Sequence, residues 1–280
     1  MLVVRYGEKI LTPCALVLGG FDGIHLGHRA LLNEAEKTGL SIAITTMPGA
    51  KGSCLFTGEE RELFFRTTNV DFVYEIPFTE ELKNTKAEDF LNTLFENINA
   101  KKVFCGEDFR FGKDARGTPS LLKAFAPVCA VETVKAGDIK VSTSLCKQYL
   151  LENDFEGLGR ILEGAYFIQG TVEHGRRVGR TYGFPTLNLS IPPEKLLPKD
   201  GVYGGYTMTP KGTYMSIINI GARPTFQVEE RKVEAYLKGF SGDLYGETVR
   251  VCPTHFLRPI QKFTSEEELK KQLQKDIERI

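Results

Sequence analysis

Two histidines three residues apart, His25 and His28, close a glycine-rich turn in the run Gly19-Gly20-Phe21-Asp22-Gly23-Ile24-His25-Leu26-Gly27-His28. Paired imidazoles at the mouth of such a turn can donate hydrogen bonds to charge developing on a phosphate, and Gly27 between them lets a nucleotide lie against the backbone. Taken alone, the pattern also suits two surface histidines on a tight turn. A second polar loop, Gly106-Glu107-Asp108-Phe109-Arg110-Phe111-Gly112, offers Asp108 to a ribose or a metal-associated water and Arg110 to a phosphate. Its competing reading packs the phenylalanines and leaves the charges solvated. In a third stretch, Gly175 and Gly179 free backbone amides to approach a phosphate, and Arg180 adds charge. Pro185-Thr186-Leu187-Asn188 follows; Thr186 and Asn188 on an extended segment face the same side and present a hydroxyl and an amide oxygen. These are hard donors suited to Mg²⁺ whose shell is completed by ATP oxygens, although such a pair by itself is more often structural.

The elements that position these groups can be read from apolar spacing. Residues 15–18 form a buried strand candidate feeding the first turn, and residues 28–37 an amphipathic helix starting just past Gly27. Strands over 41–46 and 72–76 alternate with helices over 59–68 and 86–98, and another strand runs into the Asp108 loop. This alternation predicts a parallel sheet with helices on its faces, its ligands lying beyond the carboxyl ends of the strands. After a helical linker over 153–163 the pattern changes to short strands at 166–172, 201–207, 214–219, 233–240 and 248–251, with no helices between them. That half predicts a closed antiparallel β-barrel. A capping box at Ser265 to Glu268, with Leu269, Leu273 and Ile277 on one face, predicts a C-terminal helix packed on it. The domains are therefore placed at 1–155, an α/β Rossmann-like parallel sheet, and 156–280, the barrel.

Composition narrows the class. Lysine plus arginine equals aspartate plus glutamate at 36 each, so no charge excess points to nucleic acid or an anionic membrane. The six cysteines are scattered without metal-ligand spacing and read as reduced thiols. No apolar run approaches the roughly 20 residues of a membrane span, and the first residues lack a secretory pattern, which predicts a cytoplasmic protein. Self-association is left open. Gly112-Lys113-Asp114 lacks the glycine spacing and the hydroxyl of a Walker A loop.

The motifs G-G-F-D-G-I-H-L-G-H and G-E-D-F-R-F-G resemble the adenylyltransferase module of the prokaryotic bifunctional riboflavin kinase/FAD synthetase family. The later motifs P-T-L-N, Asn219-Ile220-Gly221-x-Arg223-Pro224-Thr225-Phe226, Val233-Glu234-Ala235-Tyr236, Asp243-Leu244-Tyr245-Gly246 and Leu257-Arg258 resemble its riboflavin kinase module, in the same order. The resemblance implies two reactions: riboflavin and ATP give FMN, and FMN and ATP give FAD and pyrophosphate, with Mg²⁺ accompanying ATP. It further implies that His25 and His28 stabilise phosphates, that Gly19, Phe21 and Asp22 line the nucleotide turn, and that Asp108 lies on the flavin/ATP side. In the second module it implies that Thr186 and Asn188 hold the metal and the ATP phosphates, that Glu234 is the base, and that Arg258 belongs to the binding site.

Two stretches depart from the family pattern. T-F-[DE]-P-H-P is replaced by Thr45-Thr46-Met47-Pro48-Gly49-Ala50, and S-S-T-R-I-R by Ser142-Thr143-Ser144-Leu145-Cys146-Lys147. Losing the first Arg to Leu145 removes a bidentate phosphate donor, and Lys147 lacks the fork of the second. Ser142 and its neighbouring hydroxyls still suit a phosphate. Three readings follow: a kinase with an altered adenylyltransferase module, an FAD synthetase with a weak kinase half, or a kinase whose first domain is a nucleotide- or flavin-binding scaffold.

Overall fold

A computed structural model of the chain describes residues 1–48, 52–174, 185–224 and 229–280. Met1–Cys146 with Ile161–Glu163 form one compact unit, and Lys147–Arg160 with Gly164–Ile280 the other.

In the first unit, β1 (Leu2–Arg5), β2 (Ile10–Val17), β3 (Ser41–Thr46), β4 (Val70–Glu75), β5 (Ile98–Gly106) and β6 (Val128–Val131) make a parallel sheet in the order β1-β4-β3-β2-β5-β6. Helices α1 (Leu26–Glu36), α2 (Gly58–Phe65), α3 (Glu80–Lys83), α4 (Ala87–Asn97) and α5 (Pro119–Leu122) connect them, and a small hairpin, β7 (Lys135–Ala136) with β8 (Ile139–Lys140), precedes α6 (Thr143–Glu152). Both faces of the sheet are buried, which is why its central strands read as continuous apolar runs. Leu16, Leu18 and Ala43 pack with Phe90, Leu91 and Leu94 of α4 on one face. Ala15, Val17, Ile42 and Ile44 pack with Leu31 and Leu32 of α1 on the other. From β2 the chain runs to β3 and β4 on one side and then to β5 and β6 on the other. The carboxyl end of β2 therefore opens at the switch in strand order, where such sheets bind ligands.

The edge strands β1 and β6, four residues each, are too short to show a period and were not anticipated from sequence. Burial also controls the thiols. It is the main force pushing Cys14 and Cys105 up to about 11, and Cys146 up to about 12. Alkylation of the native protein at pH 8 should accordingly label the half-buried Cys129 first, with Cys14, Cys105 and Cys146 reacting only on unfolding, as mass spectrometry of the labelled peptides would show.

The second unit holds α7 (Phe155–Ile161) through Arg160, followed by β9 (Ile168–Glu173), β10 (Thr186–Ser190), β11 (Gly201–Thr209), β12 (Gly212–Pro224), β13 (Glu229–Leu237) and β14 (Thr248–Arg258). The six strands close an antiparallel barrel in the order β10-β13-β12-β11-β14-β9, with β9 paired back to β10. β13 stops at Leu237 rather than 240, because the chain turns through Gly239 at φ +75°. The last helix, α8 (Glu266–Ile277), is capped by Ser265, which accepts from the Glu268 N–H. The Glu268 carboxylate returns to Thr264, accepting from its N–H at 3.1 Å and its hydroxyl at 2.8 Å.

An ion pair fixes α8. Arg258 donates from Nη2 to Asp276 Oδ2 at 2.8 Å and from Nε to both carboxylate oxygens, while Asp276 is fully buried and also accepts from Gln272. Removing one partner of such a pair strands a buried charge, so Arg258→Met should lower the stability of the barrel by about 3–5 kcal/mol in urea unfolding. Arg258→Met with Asp276→Leu should recover part of that loss.

Candidate active sites

His25 is the N-cap of α1, which starts at Leu26 and not beyond Gly27. The imidazole itself supplies the cap, since His25 Nδ1 accepts from the His28 backbone N–H at 3.2 Å. His28 Nδ1 lies 2.9 Å from the Gly23 carbonyl. A carbonyl can only accept, so His28 carries a proton on Nδ1, whereas His25 does not. The neutral His25 ring then holds its proton on Nε2, and His28 becomes a donor at Nε2 when it is an imidazolium. The two rings stack 3.7 Å apart, too close for two positive charges to be favourable. His28 stacks in turn on Phe21, with centroids 4.1 Å apart.

This column is held under strain. Phe21 is fully buried with φ +42°, a conformation that a bulky residue keeps only when its surroundings enforce it. A Cβ on Gly19 would come within 2.8 Å of the Phe21 ring, and Gly23, at φ +105°, leaves the same clearance from Phe56. Thr45, which sequence reasoning did not single out, ties the turn to the end of β3. The Gly19 N–H donates to its Oγ1 at 3.1 Å, and the hydroxyl donates to the Gly19 carbonyl at 3.0 Å.

The neighbouring candidates divide by role. The Asp22 carboxylate accepts from the backbone N–H groups of Leu55 and Phe56 at 3.0 and 3.2 Å, which braces the loop before α2. The Cys146 thiol feels the Asp22 charge, and the Val141 carbonyl approaches Gly27, so the start of α6 is brought to the turn. There Ser142 Oγ accepts from the Leu145 N–H at 3.2 Å, while Leu145 itself is buried. Glu163 was not anticipated: it accepts from Arg29 Nε at 2.7 Å, and its N–H donates to the Ile24 carbonyl at 2.7 Å. On the other flank, β5 ends beside β2, with the Leu18 N–H donating to Phe104. Asp108 pairs with Lys140 of the β7–β8 hairpin, and the exposed Arg110 donates to the adjacent Phe109 carbonyl. Phe109 and Phe111 pack on the α4 side of the sheet.

In the barrel, strand register assembles the second site. Asn188 of β10 lies directly opposite Glu234 of β13, and Thr186 opposite Tyr236. Opposed residues share a face, as do residues two apart on a strand, so Thr186, Asn188 and Glu234 stand on one side of the barrel wall. That side is the outer one: Ile217 and Val202 pack with Ile277 of α8, and Ile217 is opposite Tyr236. The alternate residues Leu189, Val233 and Ala235 are buried in the interior. Gly175, Gly179 and Arg180 lie outside the described residues. Arg258 has Nε and Nη2 engaged by Asp276, and Nη1 donates to the Pro259 carbonyl at 3.2 Å. His174 packs on Tyr245, and His255 bonds to Thr254.

The FAD synthetase family model matches residues 7–145, and the riboflavin kinase model matches residues 162–280. A bifunctional riboflavin kinase/FMN adenylyltransferase of Buchnera aphidicola subsp. Schizaphis graminum is 32% identical over 97% of this chain and 94% of its own length. The chain belongs to that family. The Bacillus subtilis bifunctional riboflavin kinase/FMN adenylyltransferase is 29% identical, over 93% of this chain and 89% of its own length. A crystal structure described as a macrolide-efflux protein from Streptococcus pneumoniae matches with a TM-score of 0.89 at 29% identity, covering 99% of this chain and 98% of that one. No helix among the described residues is long and apolar enough to cross a membrane.

As a member of the bifunctional riboflavin kinase/FMN adenylyltransferase family, the chain carries two transferase modules of flavin cofactor biosynthesis, with the sheet in the FAD synthetase match and the barrel in the riboflavin kinase match. Of the altered stretches, Met47 packs against the α4 side of the sheet, whereas Gly49 and Ala50 lie outside the described residues.

Proposed function

We propose that the barrel transfers the terminal phosphoryl group of ATP to a ribityl hydroxyl of riboflavin, and that the sheet unit transfers AMP from a second ATP to the resulting FMN. The observation that carries the kinase reading is the register setting Thr186, Asn188 and Glu234 on one face of adjacent strands. Thr186 and Asn188 offer neutral oxygen donors, which fit Mg²⁺ arriving with ATP and leave its other positions to phosphate and water. That ion, when bound, offsets charge on the transferring phosphoryl group. Glu234 accepts the proton of the attacking hydroxyl as the oxygen bonds to the γ-phosphorus and ADP leaves with the broken bond's electrons. Gly175, Gly179 and Arg180 hold phosphates, and Arg258 acts by keeping α8 in place. In the sheet unit, His25 and His28 face the charge that develops as an oxygen of the FMN phosphate bonds to the α-phosphorus of ATP and pyrophosphate leaves with the electrons of the broken bond. Gly19, Phe21 and Gly27 shape the turn, Asp22 braces it, Ser142 serves a phosphate, and Asp108 and Arg110 lie toward the substrates. The boundary between the modules falls near residue 155, and the protein works in the cytoplasm with its thiols free.

A second reading, in which the sheet unit binds nucleotide but transfers slowly, is favoured by Leu145, since a buried apolar side chain stands where the family pattern has an arginine. One assay separates them: purified protein with Mg²⁺-ATP and either riboflavin or FMN, with the flavins resolved by chromatography. FMN from riboflavin is the expected outcome, and no FMN with oxidised or reduced riboflavin would overturn the kinase reading. Ready conversion of FMN to FAD removes the second reading.

A further inference from the structure

We propose that Asn219 is a further substrate-binding residue of the kinase site, where its amide holds a second hydroxyl of the polyol acceptor beside the one that reacts. The proposal rests on the kinase reading above. Asn219 of β12 lies directly opposite Glu234 on the side away from Asn188, so the carboxylate is bracketed by two amides on three adjoining strands. Asn219 also faces outward, two residues from Ile217 and opposite Val202, both of which pack on α8.

The order across the strands matches the order of atoms in a phosphoryl transfer. Neighbouring strands are about 4.8 Å apart, so Asn188 and Asn219 stand roughly 10 Å from each other with Glu234 between them. With ATP phosphates at Thr186 and Asn188 and the reacting oxygen at Glu234, the remainder of the acceptor extends toward Asn219. An amide suits a hydroxyl because each group both donates and accepts. Asn219 is half-buried, and its side chain makes no hydrogen bond among the described residues. Asparagine is also a poor strand residue, and this one interrupts the buried run Ile217, Ile218 and Ile220 in a 13-residue strand. A merely tolerated surface polar group accounts for its exposure, but not for its alignment with Glu234 and Asn188.

The test uses the full-length protein, Asn219→Ala, and riboflavin analogues that each lack one secondary ribityl hydroxyl. Asn219→Ala should raise KM for riboflavin roughly five- to tenfold, leave KM for ATP within about twofold, and weaken riboflavin binding, read by flavin fluorescence quenching, by the same factor. One deoxy analogue should lose about as much with the unaltered protein and nothing further with Asn219→Ala. Equal losses for every analogue, additive losses in the variant, or an effect confined to KM for ATP would overturn the proposal. If Asn219→Ala lowers the thermal midpoint of the barrel, the unaltered protein decides alone: indifference to every single hydroxyl overturns it. Should riboflavin yield no FMN, the kinase reading fails by itself, and Asn219 is then judged by the quenching titration, where unchanged affinity in the variant overturns its role.

Discussion

Glu234→Gln should lower kcat for FMN formation by a factor on the order of 10³ and leave riboflavin affinity within about twofold, as followed by product chromatography and fluorescence quenching. The substitution keeps the shape of the side chain and its place opposite Asn188 and Asn219, and it removes the charge and with it the ability to take a proton. A positioned base of this kind acts as the acceptor oxygen bonds to phosphorus, so its loss falls on the transition state and not on the ground-state complex. The outcome is interpretable because Glu234 sits in the middle of a paired strand whose inward neighbours Val233 and Ala235 are fully buried. An amide at this outward position leaves that packing untouched. Turnover retained within a factor of about five would assign the proton to another group, and a parallel loss of riboflavin binding would mean that the carboxylate holds the acceptor. Thr186→Ala should behave differently, raising the Mg²⁺ concentration needed for half-maximal rate.

Much of this arrangement is local, and the local part is legible in the sequence. The run from β2 through the glycine turn into α1 is contiguous, so strand, turn and helix can be read together. The barrel shows itself through short strands without intervening helices. Contacts between distant segments do not show in this way. The pairing of Asn188 with Glu234 depends on which strands neighbour each other after closure. The pairing of Arg258 with Asp276 depends on where α8 lands, and Asp22 gives no sign in its own surroundings that its carboxylate meets the Leu55 and Phe56 amides. The start of α1 was misplaced for a chemical reason. N-caps are usually Ser, Thr, Asp or Asn, and here an imidazole does that work.

That cap bears on the largest effect expected in the sheet unit. His28→Phe should reduce FAD formation from FMN by roughly 10²- to 10³-fold, with FMN formation from riboflavin unchanged. Phenylalanine retains an aromatic ring to stack on Phe21 and His25 but has no donor, so the variant keeps the stacking while removing the Nε2 donor together with the Nδ1–H bond to the Gly23 carbonyl. His28→Ala would confuse the two by opening a void beside the strained, fully buried Phe21. The protonation pattern sets the direction of the pH dependence. His28 already commits Nδ1–H to the Gly23 carbonyl, so it donates to a phosphate from Nε2 only as the imidazolium. His25 donates from Nε2 while neutral, because its Nδ1 lone pair is held by the His28 N–H. FAD formation should therefore fall as pH rises and His28 loses its second proton, and the limb due to this group should vanish in His28→Phe. Near-normal activity in that variant would make the column a packing device alone. Loss with an unchanged pH profile would place the charge on His25, whose imidazolium has no lone pair at Nδ1 and would have to give up the cap bond from the His28 N–H.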